Sequence, residues 1–366
     1  MFFKKIQVFI HSYIPIFTKN WFFLYCLLYL SFIESSEIDL PKNFTDSFQR
    51  YMGKETTLWR HVQPSDYIVL QLFENAFSKK IQESHSFSST FSIPHVLHII
   101  WMGPKPFPEE SIRNIESWIK WHPNWTYKFW TDRPRPVPHS AMELCFIDSL
   151  KIFPLQSYFL ESTNYGEKSD ILRYEILYQN GGLYADHDVE CFRSFDFLLD
   201  HFDFFCGLEP PHASIVNGAI TACNNLIGSK PNHPILEKTR RYVQERWEKG
   251  QQLFCTPDMA SIISKVAYRT FTSFDLAVKE LINSTHENNI VFPAGYFNRL
   301  DNKYGIYAHH QYATTWFTTE TNFERLIRKR IEYIAKKSNH LITILSLLSL
   351  LQIITLSCMI HKHYAK

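Results

Sequence analysis

The sequence predicts an α/β domain built around a mostly parallel β-sheet. Two observations carry this prediction: a strand, a helix and a second strand follow one another between Val96 and Trp130, and a further helix and strand lie between Ser169 and Ala185. A strand, a crossover helix and a strand at this spacing form a βαβ unit, which builds a parallel sheet with ligand-binding loops at the carboxyl ends of its strands. The 366 residues, 45% of them hydrophobic, suffice for one large domain with attached segments.

The first unit begins with the apolar run Val96–Trp101 (VLHIIW), which has the length of a buried strand. A loop rich in proline and glycine (MGPKPFP) follows it. The next helix is marked by four apolar residues that share one face, namely Ile112, Ile115, Trp118 and Ile119. The run Tyr127–Trp130 then forms the second strand, so the two strands are predicted to lie in one parallel sheet.

The second unit is a helix over Ser169–Gln179 and the short strand after it. The apolar residues of this helix are spread around its axis, which indicates burial on most sides, although Glu175 interrupts that surface. Asn180–Gly182 end the helix, because glycine adopts the left-handed conformation at low cost. The strand Leu183–Ala185 then places Asp186–Asp188 (DHD) at the predicted mouth of the sheet.

Two carboxylates one residue apart, Asp186 and Asp188, are arranged to meet a ligand at that position. A hard divalent cation prefers oxygen ligands and is usually coordinated by one or two carboxylates together with substrate phosphates. The pair therefore suits a metal that neutralises the diphosphate of a nucleotide-sugar as the glycosidic bond breaks. A D-x-D alone arises by chance about once in a chain of this size, so the surrounding sequence decides what it means.

The surrounding run Ser169–Asp188, which contains SDILRY and GGLYADHD, resembles the sugar-binding D-x-D region of family 32 glycosyltransferases. This family includes fungal mannosyltransferases that act on glycans and on inositol phosphoceramide, and it shares the region with the large clostridial glucosylating toxins. The resemblance extends from about Ile93 to Trp316 and includes Ile93–Trp101 and Tyr127–Asp132. It implies a nucleotide-diphospho-sugar transferase fold of the GT-A type and a retaining transfer of a hexose.

The resemblance also implies which residues bind the donor. They are Trp101, Asp170, Arg173, Tyr184, Asn217 and Trp316. The residues themselves leave alternatives open, because Trp101 also suits a position in the core. Asp170 and Arg173, three residues apart on one helix face, could form an ion pair within the helix, and Asn217 could serve an Asn-Gly turn.

His309 and His310 resemble the closing His-rich segment of the family. By resemblance this segment completes the metal and diphosphate site with Asp186 and Asp188, and the sequence leaves open which of the two histidines is the ligand. Imidazole suits transition metals, whereas Mg²⁺ prefers oxygen ligands, so Mn²⁺ is expected in preference to Mg²⁺. The expected donor is GDP-mannose or a UDP-hexose, which supplies mannose, glucose or galactose. The expected acceptor is a lipid-linked or membrane-proximal glycan.

Both ends of the chain are hydrophobic and predict membrane attachment. The predicted organisation is an N-terminal anchor or signal segment (1–39), an accessory helical region (40–92), the catalytic domain (93–320), a basic juxtamembrane segment (321–340) and a transmembrane helix (341–360). The run 341–360 has no charge and about the length needed to cross hydrocarbon. Its basic flank predicts a cytoplasmic catalytic domain, whereas the N-terminal segment and three N-x-[ST] triplets favour the lumen of the Golgi or endoplasmic reticulum.

Charge and cysteine content exclude some functions and leave others open. The 38 Lys and Arg residues against 36 Asp and Glu leave a formal charge of +2, so nothing predicts a nucleic-acid partner. Seven cysteines, two of them in the hydrophobic ends, do not predict a complete disulfide framework. Three other functions stay open: a protein-glycosylating enzyme, a membrane-anchored sugar-binding protein without activity, and a metal-dependent hydrolase.

Overall fold

The computed structural model describes residues 44–83, 93–151, 153–213, 217–284, 287–301, 303–313 and 315. The helices and strands belong to one compact unit that ends at Tyr312, and of the second unit the structure describes Ala313 and Thr315. The predicted segments 1–39, 321–340 and 341–360 lie outside the described residues. Among the residues that are described, no helix combines the length and the apolar character that crossing a membrane requires.

The strands form one mixed sheet and one small pair. In the described part of the chain they are β1 Val96–Ile100, β2 Thr126–Thr131, β3 Met142–Phe146, β4 Gly182–Ala185, β5 Val189–Cys191, β6 Phe204–Leu208, β7 Ala222–Ser229, β8 Asn289–Phe292 and β9 Ala308–His310. The main sheet has the order β3-β2-β1-β4-β7-β6-β8. In it β7 is antiparallel to both neighbours and the other pairs are parallel, so the predicted mostly parallel sheet is confirmed. β5 and β9 form a separate antiparallel pair.

Helices pack around the main sheet and complete the α/β fold. Within the described residues they are α1 Phe44–Tyr51, α2 Tyr67–Glu83, α3 Ile112–Trp121, α4 Gln156–Glu161, α5 Tyr165–Asn180, α6 Asp196–His201, α7 Pro234–Leu253, α8 Met259–Val266 and α9 Thr272–Leu281. A π-helical turn over Ala267–Phe271 joins α8 to α9. From β1 onward, helices and strands follow one another along the chain, singly or in groups of two or three.

The predicted βαβ unit consists of β1, α3 and β2. β1 and β2 are parallel neighbours, with register from Val96 opposite Thr126 to Ile100 opposite Trp130. Trp118, on the predicted apolar face of α3, is fully buried. Because β4 is the other neighbour of β1, the loops after β1 and β4 open at the same edge of the sheet.

Helix α5 is buried on most sides, as its scattered apolar residues predict. It begins at Tyr165, four residues before the predicted start, because the side chain of Asn164 caps it by accepting from the N–H of Glu167 (3.0 Å). The interrupting acid, Glu175, is buried and pairs with Arg240 of α7 at 3.2 Å. A buried carboxylate is tolerated here because it has a charged partner.

Two glycines make the turn from α5 into β4. Gly181 has φ of 65° and Gly182 has φ of 105°, a region that other residues rarely adopt. A Cβ atom on Gly182 would also lie 2.7 Å from the carbonyl oxygen of Val96 in β1. This close approach places β4 directly against β1 and so fixes where the residues after β4 emerge.

Helices α1 and α2 share the core of the sheet-containing unit. The ring of Phe77 in α2 lies 5.4 Å from that of Phe48, 5.9 Å from Phe292 at the end of β8 and 6.1 Å from Tyr296. The described part of the predicted accessory region is therefore helical and packs against the same core as the last strand of the main sheet.

Candidate active site

The turn between β4 and β5 holds the two aspartates of the D-x-D. The N–H of Asp186 donates to the carbonyl oxygen of Asn225 in β7 (2.8 Å), and the N–H of Val189 donates to that of Asp186 (3.1 Å). The carbonyl oxygen of Asp188 accepts from the N–H of Gln311, just beyond β9 (2.9 Å). Backbone bonds to two other segments therefore fix both carboxylates at the carboxyl end of β4, where sheets of this kind bind ligands.

His310 adds a third side chain of the type that binds metals. The register of β5 and β9 places His310 opposite Val189, the first residue after the turn. Its Nε2 lies 3.3 Å from Oδ1 of Asp188 and 3.8 Å from Oδ2 of Asp186. One ligand atom from each of these three residues falls within 4.8 Å of the others, which makes them a candidate metal site within the described residues.

His309 makes different contacts from His310, because neighbouring residues of a strand point to opposite faces. Its ring is nearly parallel to that of Phe192, at 18° and 6.3 Å between centroids, and it meets the edge of Tyr304 at 4.8 Å. Burial lowers the pKa of His309, and Arg299 acts in the same direction. The structure thus brings His310, and not His309, to the two aspartates.

The donor set of Asp186, Asp188 and His310 fits a divalent cation. The ligand atoms of His310 and the two aspartates lie 3.3 and 3.8 Å apart, and all three fall within 4.8 Å of one another, so these residues could hold one ion together. Oδ1 of Asp186 accepts from the Tyr184 hydroxyl (2.5 Å), while Oδ2 is the oxygen that faces His310. Two carboxylates and one imidazole are a set that suits Mn²⁺ better than Mg²⁺.

The charges of this group are coupled to one another. Burial opposes protonation of His310, but the carboxylates of Asp188 and Asp186 outweigh it and raise the pKa of His310 above its ordinary value. The other ring nitrogen, Nδ1, is buried and makes no hydrogen bond within the described residues. A cation held by the two carboxylates would therefore take the place of the proton on Nε2.

Arg173 on α5 links the aspartate turn to the helix. Its Nη2 pairs with Oδ1 of Asp170 (2.8 Å), and its Nη1 donates to the carbonyl oxygen of Asn224 in β7 (2.7 Å). The same Nη1 lies 3.3 Å from Oδ1 of Asp186. The guanidinium also lies over the ring of Tyr184 at 4.4 Å. Arg173 and Asp170 thus form an ion pair within the helix that also reaches the D-x-D.

Burial and neighbouring charges together set the ionisation of Asp170 and Arg173. Burial raises the pKa of Asp170 above its usual range, although Arg173 and the hydroxyl of Thr270, 2.5 Å from Oδ2, act in the opposite direction. Burial also opposes the charge on Arg173, but Asp186, Tyr184 and Asp170 raise its pKa. Arg173 therefore stays charged and compensates two carboxylates that are removed from water.

Helix α3 supports the turn through polar groups that the sequence analysis did not select. Ser111 Oγ and Nδ1 of His187 are 2.8 Å apart, and Asn114 Nδ2 donates to the carbonyl oxygen of His187 (3.0 Å). The indole of Trp118 donates to the carbonyl oxygen of Val189 (2.9 Å). Their spacing could have indicated this role in the sequence, because Ser111, Asn114 and Trp118 lie three and four residues apart and so share one helix face.

Trp101 lies directly after β1 and contacts His187, the middle residue of the D-x-D. Its ring meets that of His187 at 79° with 4.9 Å between centroids, and its indole N–H donates to the carbonyl oxygen of Lys105 (2.9 Å). The side chain is largely buried. Trp101 therefore lies beside the aspartate turn on a fixed loop, with part of its surface in the core.

Two predicted donor residues are not among these contacts. The side-chain oxygen of Asn217 accepts from the hydroxyl of Thr272 at the start of α9 (2.9 Å). That bond connects Asn217 to α9 and not to the aspartates. Trp316 lies outside the described residues.

Glu209 and Tyr312 extend the site beyond His310, and the sequence analysis did not select either. The ring of Tyr312 lies 4.1 Å from that of His310, and its hydroxyl donates to Oε2 of Glu209 (3.2 Å). Oε1 of Glu209 accepts from the thiol of Cys223 (2.9 Å). No motif marks these residues, and their one signal is position: Glu209 directly follows β6 and Tyr312 closely follows β9.

The comparison with protein families identifies the segment around these residues. Residues 108–205 match the family described as "Glycosyltransferase sugar-binding region containing DXD motif". The chain carries a glycosyltransferase sugar-binding region. Five of the predicted site residues fall inside it, namely Asp170, Arg173, Tyr184, Asp186 and Asp188. The resemblance stated on SDILRY and GGLYADHD is thus confirmed.

Curated proteins similar to this sugar-binding region include fungal enzymes. Inositol phosphoceramide mannosyltransferase 3 of Schizosaccharomyces pombe is 30% identical over 145 residues, which are 40% of this chain and 35% of the relative. Mannosyl phosphorylinositol ceramide synthase CSH1 of Saccharomyces cerevisiae is 23% identical over 265 residues, covering 69% and 62%. The chain thus spans 35% to 62% of the length of these two relatives. Among solved structures, the PaToxG glycosyltransferase has a TM-score of 0.42 at 19% identity, covering 60% of this chain and 80% of that one.

Proposed function

We propose that the protein is a metal-dependent, retaining glycosyltransferase of the mannosyltransferase type with a GT-A fold. It moves a hexose from a nucleotide-sugar to a hydroxyl of a lipid-linked or membrane-proximal glycan. The observation that carries the proposal is the convergence of Asp186, Asp188 and His310 at the carboxyl end of β4, beside a sugar-binding region.

In this proposal Asp186, Asp188 and His310 hold the cation, with Mn²⁺ preferred to Mg²⁺. When bound, the cation serves as a Lewis acid that neutralises the donor diphosphate and orients it as leaving group. Arg173 and the Tyr184 hydroxyl both contact Oδ1 of Asp186, which keeps Oδ2 directed to the cation. His310, and not its neighbour His309, is the proposed nitrogen ligand.

The donor is proposed to lie between the aspartate turn and the loop after β1. Trp101 is fixed beside His187 on that loop and offers an aromatic surface for the donor base. Asp170 and Arg173 lie at the sugar and phosphate end, since Arg173 contacts Asp186 directly. Asn217 and Trp316 remain proposed donor-binding residues. Asn217 would act from the segment that its hydrogen bond with Thr272 connects to α9.

The proposed transfer exchanges one bond of the anomeric carbon for another and moves one proton. The oxygen of the acceptor hydroxyl bonds to the anomeric carbon as the bond from that carbon to the diphosphate breaks. The electron pair of the broken bond leaves with the nucleoside diphosphate, which also takes the hydroxyl proton. Asp186, Asp188 and His310 would serve this step by holding the cation at the place where negative charge develops on the leaving diphosphate.

The names of the relatives support a choice of substrates. Two are named for mannosyl transfer to inositol phosphoceramide, which favours GDP-mannose as donor and a membrane lipid with a sugar-like headgroup as acceptor. A UDP-hexose is the alternative donor. Attachment through the hydrophobic ends of the chain, with the catalytic domain in the Golgi or endoplasmic reticulum lumen, agrees with such an acceptor.

A donor panel tests this proposal. Purified full-length protein is incubated with UDP- and GDP-sugars in Mn²⁺, Mg²⁺ or EDTA, and release of nucleoside diphosphate is measured. We expect one donor to be turned over with Mn²⁺ and not with EDTA. Asp188→Ala should lower that turnover at least about 100-fold, since a bound cation contributes several kcal/mol of charge stabilisation.

The matched control is Asp200→Ala, which removes a carboxylate that pairs with His95 at the other end of β1. It should retain turnover, because this partly exposed contact lies away from the aspartates and contributes little to stability. Turnover that is indifferent to EDTA, or equal in Asp188→Ala and the wild type, would contradict the proposal. If the folded protein released no nucleoside diphosphate from any donor, a sugar-binding protein without activity would be favoured.

A further inference from the structure

A cavity of about 410 Å³ lies one side chain away from His310, with Tyr312 between them, and is not used by the proposed donor site. Its volume falls in the range of small-molecule sites in proteins. The residues that matter for its chemistry are Leu58, Glu209, Pro211, Arg299, Asp301 and Tyr312. They come from four separate parts of the described chain, so the cavity exists only in the folded unit.

Tyr312 joins this cavity to the candidate metal site. Its ring contacts the ring of His310 (4.1 Å between centroids) and lines the cavity as well. Its hydroxyl donates to Oε2 of Glu209, which is a second wall residue (3.2 Å). A ligand against Glu209 and Tyr312 would therefore lie one side chain away from the proposed metal ligand.

The cavity and Trp101 contact different residues of the site. Trp101 contacts His187, the middle residue of the aspartate turn, whereas Tyr312 contacts His310, which faces Asp186 and Asp188. A group bound near Trp101 and a group bound in the cavity could therefore meet at the aspartates. This is the relation that two substrates of a transfer reaction need, because reacting atoms must come within about 3.5 Å of each other.

The wall chemistry favours an uncharged ring with several hydroxyl groups. The wall carries two carboxylates, Glu209 and Asp301, beside the guanidinium of Arg299 and the imidazole of His212, so it offers an anionic diphosphate no excess of positive charge. A carboxylate accepts strong hydrogen bonds from hydroxyl groups. Leu58, Pro211 and the Tyr312 ring supply apolar surface for the C–H faces of such a ring.

The wall is held in shape before any ligand binds. Both carboxylate oxygens of Asp301 are engaged by Thr57, one through its N–H (3.2 Å) and one through its hydroxyl (3.1 Å). This fixes the short helix Thr57–His61, which carries Leu58. Arg299 Nε donates to the carbonyl oxygen of Asp301 (2.5 Å). Ordering the site in advance reduces the entropy that a ligand must lose on binding.

We propose that this cavity is the acceptor site, that it takes an uncharged polyhydroxylated ring such as a sugar or cyclitol, and that Glu209 binds one of its hydroxyl groups. The inference rests on the proposed function, since it assigns the second substrate of that transfer. Glu209 keeps both carboxylate oxygens in hydrogen bonds to the protein, which holds it rigid while further lone pairs remain for a ligand.

The test separates transfer to an acceptor from transfer to water. With the donor found in the panel and Mn²⁺, methyl α-D-mannopyranoside and myo-inositol serve as acceptor probes for the full-length protein. The ratio of sugar transferred to probe over sugar released by hydrolysis is measured, together with the KM for the probe. We expect the wild type to use at least one of the two probes.

Two variants probe the cavity in different ways. Glu209→Gln should lower the ratio and raise the KM for the probe by about tenfold, the effect of losing one charged hydrogen bond. Leu58→Trp should lower the ratio by filling the cavity, without touching the carboxylate. The matched control, Leu253→Trp, makes the same change at an exposed position at the end of α7 and should keep the wild-type ratio.

The inference is overturned if both Glu209→Gln and Leu58→Trp keep the wild-type ratio and probe KM. It is also overturned if the wild type hydrolyses the donor but uses neither probe. A wild type that does not hydrolyse any donor would remove the proposed function itself, which is a different result from a failure of the cavity alone.

Discussion

Two groups of buried polar side chains in this protein differ in how their hydrogen-bonding atoms are used. The first is a set of three histidines that support the fold: His98, His122 and His233. Nε2 of His98 donates to the carbonyl oxygen of Gly181 (2.9 Å), and its Nδ1 accepts from the indole of Trp130 (3.0 Å). The other two histidines likewise have a bond at each ring nitrogen.

The second group is the candidate metal site. Asp186, Asp188 and His310 point their ligand atoms at one another, and Nδ1 of His310 has no hydrogen-bond partner among the described residues. Such an arrangement is costly without an added positive charge, since two carboxylates lie together in a partly buried place. The comparison indicates that neutral histidines with a bond at each ring nitrogen support the fold, whereas the three convergent ligand atoms form the site that we propose for a cation.

The largest expected effect concerns the neutral histidines. Burial lowers the pKa of His98, His122 and His233 to about 4, so the folded state excludes protons that the unfolded state binds below about pH 6.5. Stability is therefore fully present above that pH and is lost as pH falls toward 4. From about pH 7.5 to 5.5 each histidine should lower the free energy of unfolding by about 1.3 kcal/mol, or about 4 kcal/mol together.

Urea denaturation at the two pH values measures this loss. His98→Gln removes one titrating group while keeping a side chain that can accept from Trp130 and donate to Gly181. Its pH dependence should be smaller than that of the wild type by about 1.3 kcal/mol. Equal pH dependence in the two proteins would mean that His98 is not held neutral and would weaken the contrast with the charged site.

Removal of the positive charge from the site should have the next largest effect. Arg173→Gln leaves the buried carboxylate of Asp170 without its ion pair and removes a contact of Asp186. We expect a loss of about 3 kcal/mol in the free energy of unfolding, because breaking a buried pair uncovers an uncompensated charge. Thermal and urea denaturation of the metal-free protein measure the change.

Arg133→Gln is the matched control for that experiment. Arg133 also pairs with an aspartate, Asp132 (2.9 Å), but its side chain is 41% exposed, against 6% for Arg173. An exposed pair contributes little to stability, so Arg133→Gln should leave the free energy of unfolding close to that of the wild type. A similar loss in both variants would show that the Arg173 cluster is an ordinary surface network and not a charge-compensated site.

The smallest expected effect tests the orientation of one ligand. Tyr184→Phe removes the hydroxyl that donates to Oδ1 of Asp186 and should weaken Mn²⁺ binding by about tenfold, the usual effect of losing a group that orients a metal ligand. Tyr127→Phe is the control, since its buried hydroxyl donates to backbone carbonyls of Trp118 and His122. Calorimetric titration of both variants with Mn²⁺ should separate them, and equal affinities would contradict the role of Tyr184.

The sequence predicted the parts of the fold that depend on local patterns, namely the spacing of apolar residues and the glycines at a helix end. β1, α3 and β2, the buried helix α5 and the turn at Gly181 all follow from patterns within a few residues. The sequence did not predict that β7 lies antiparallel between β4 and β6. That pairing depends on contacts between segments that are distant along the chain. The start of α5 moved to Tyr165 because of the cap supplied by Asn164.

In the candidate site, the sequence predicted the residues that belong to the recognisable motifs SDILRY and GGLYADHD. Asp170, Arg173 and the two aspartates lie within twenty residues, and the structure brings them together. The choice between His309 and His310 needed the register of β9 on β5, which no local pattern encodes. Glu209 and Tyr312 were not found because their role arises from contacts across about a hundred residues of chain.

The most direct test of the proposed metal site is Mn²⁺ binding by the purified protein, measured by electron paramagnetic resonance, which reports free Mn²⁺ without any need for turnover. We expect Asp188→Asn and His310→Gln to weaken binding by about tenfold or more, and His309→Gln to stay within about twofold of the wild type. Weaker binding in His309→Gln with none in His310→Gln, or equal binding in all four proteins, would contradict a metal site formed by Asp186, Asp188 and His310.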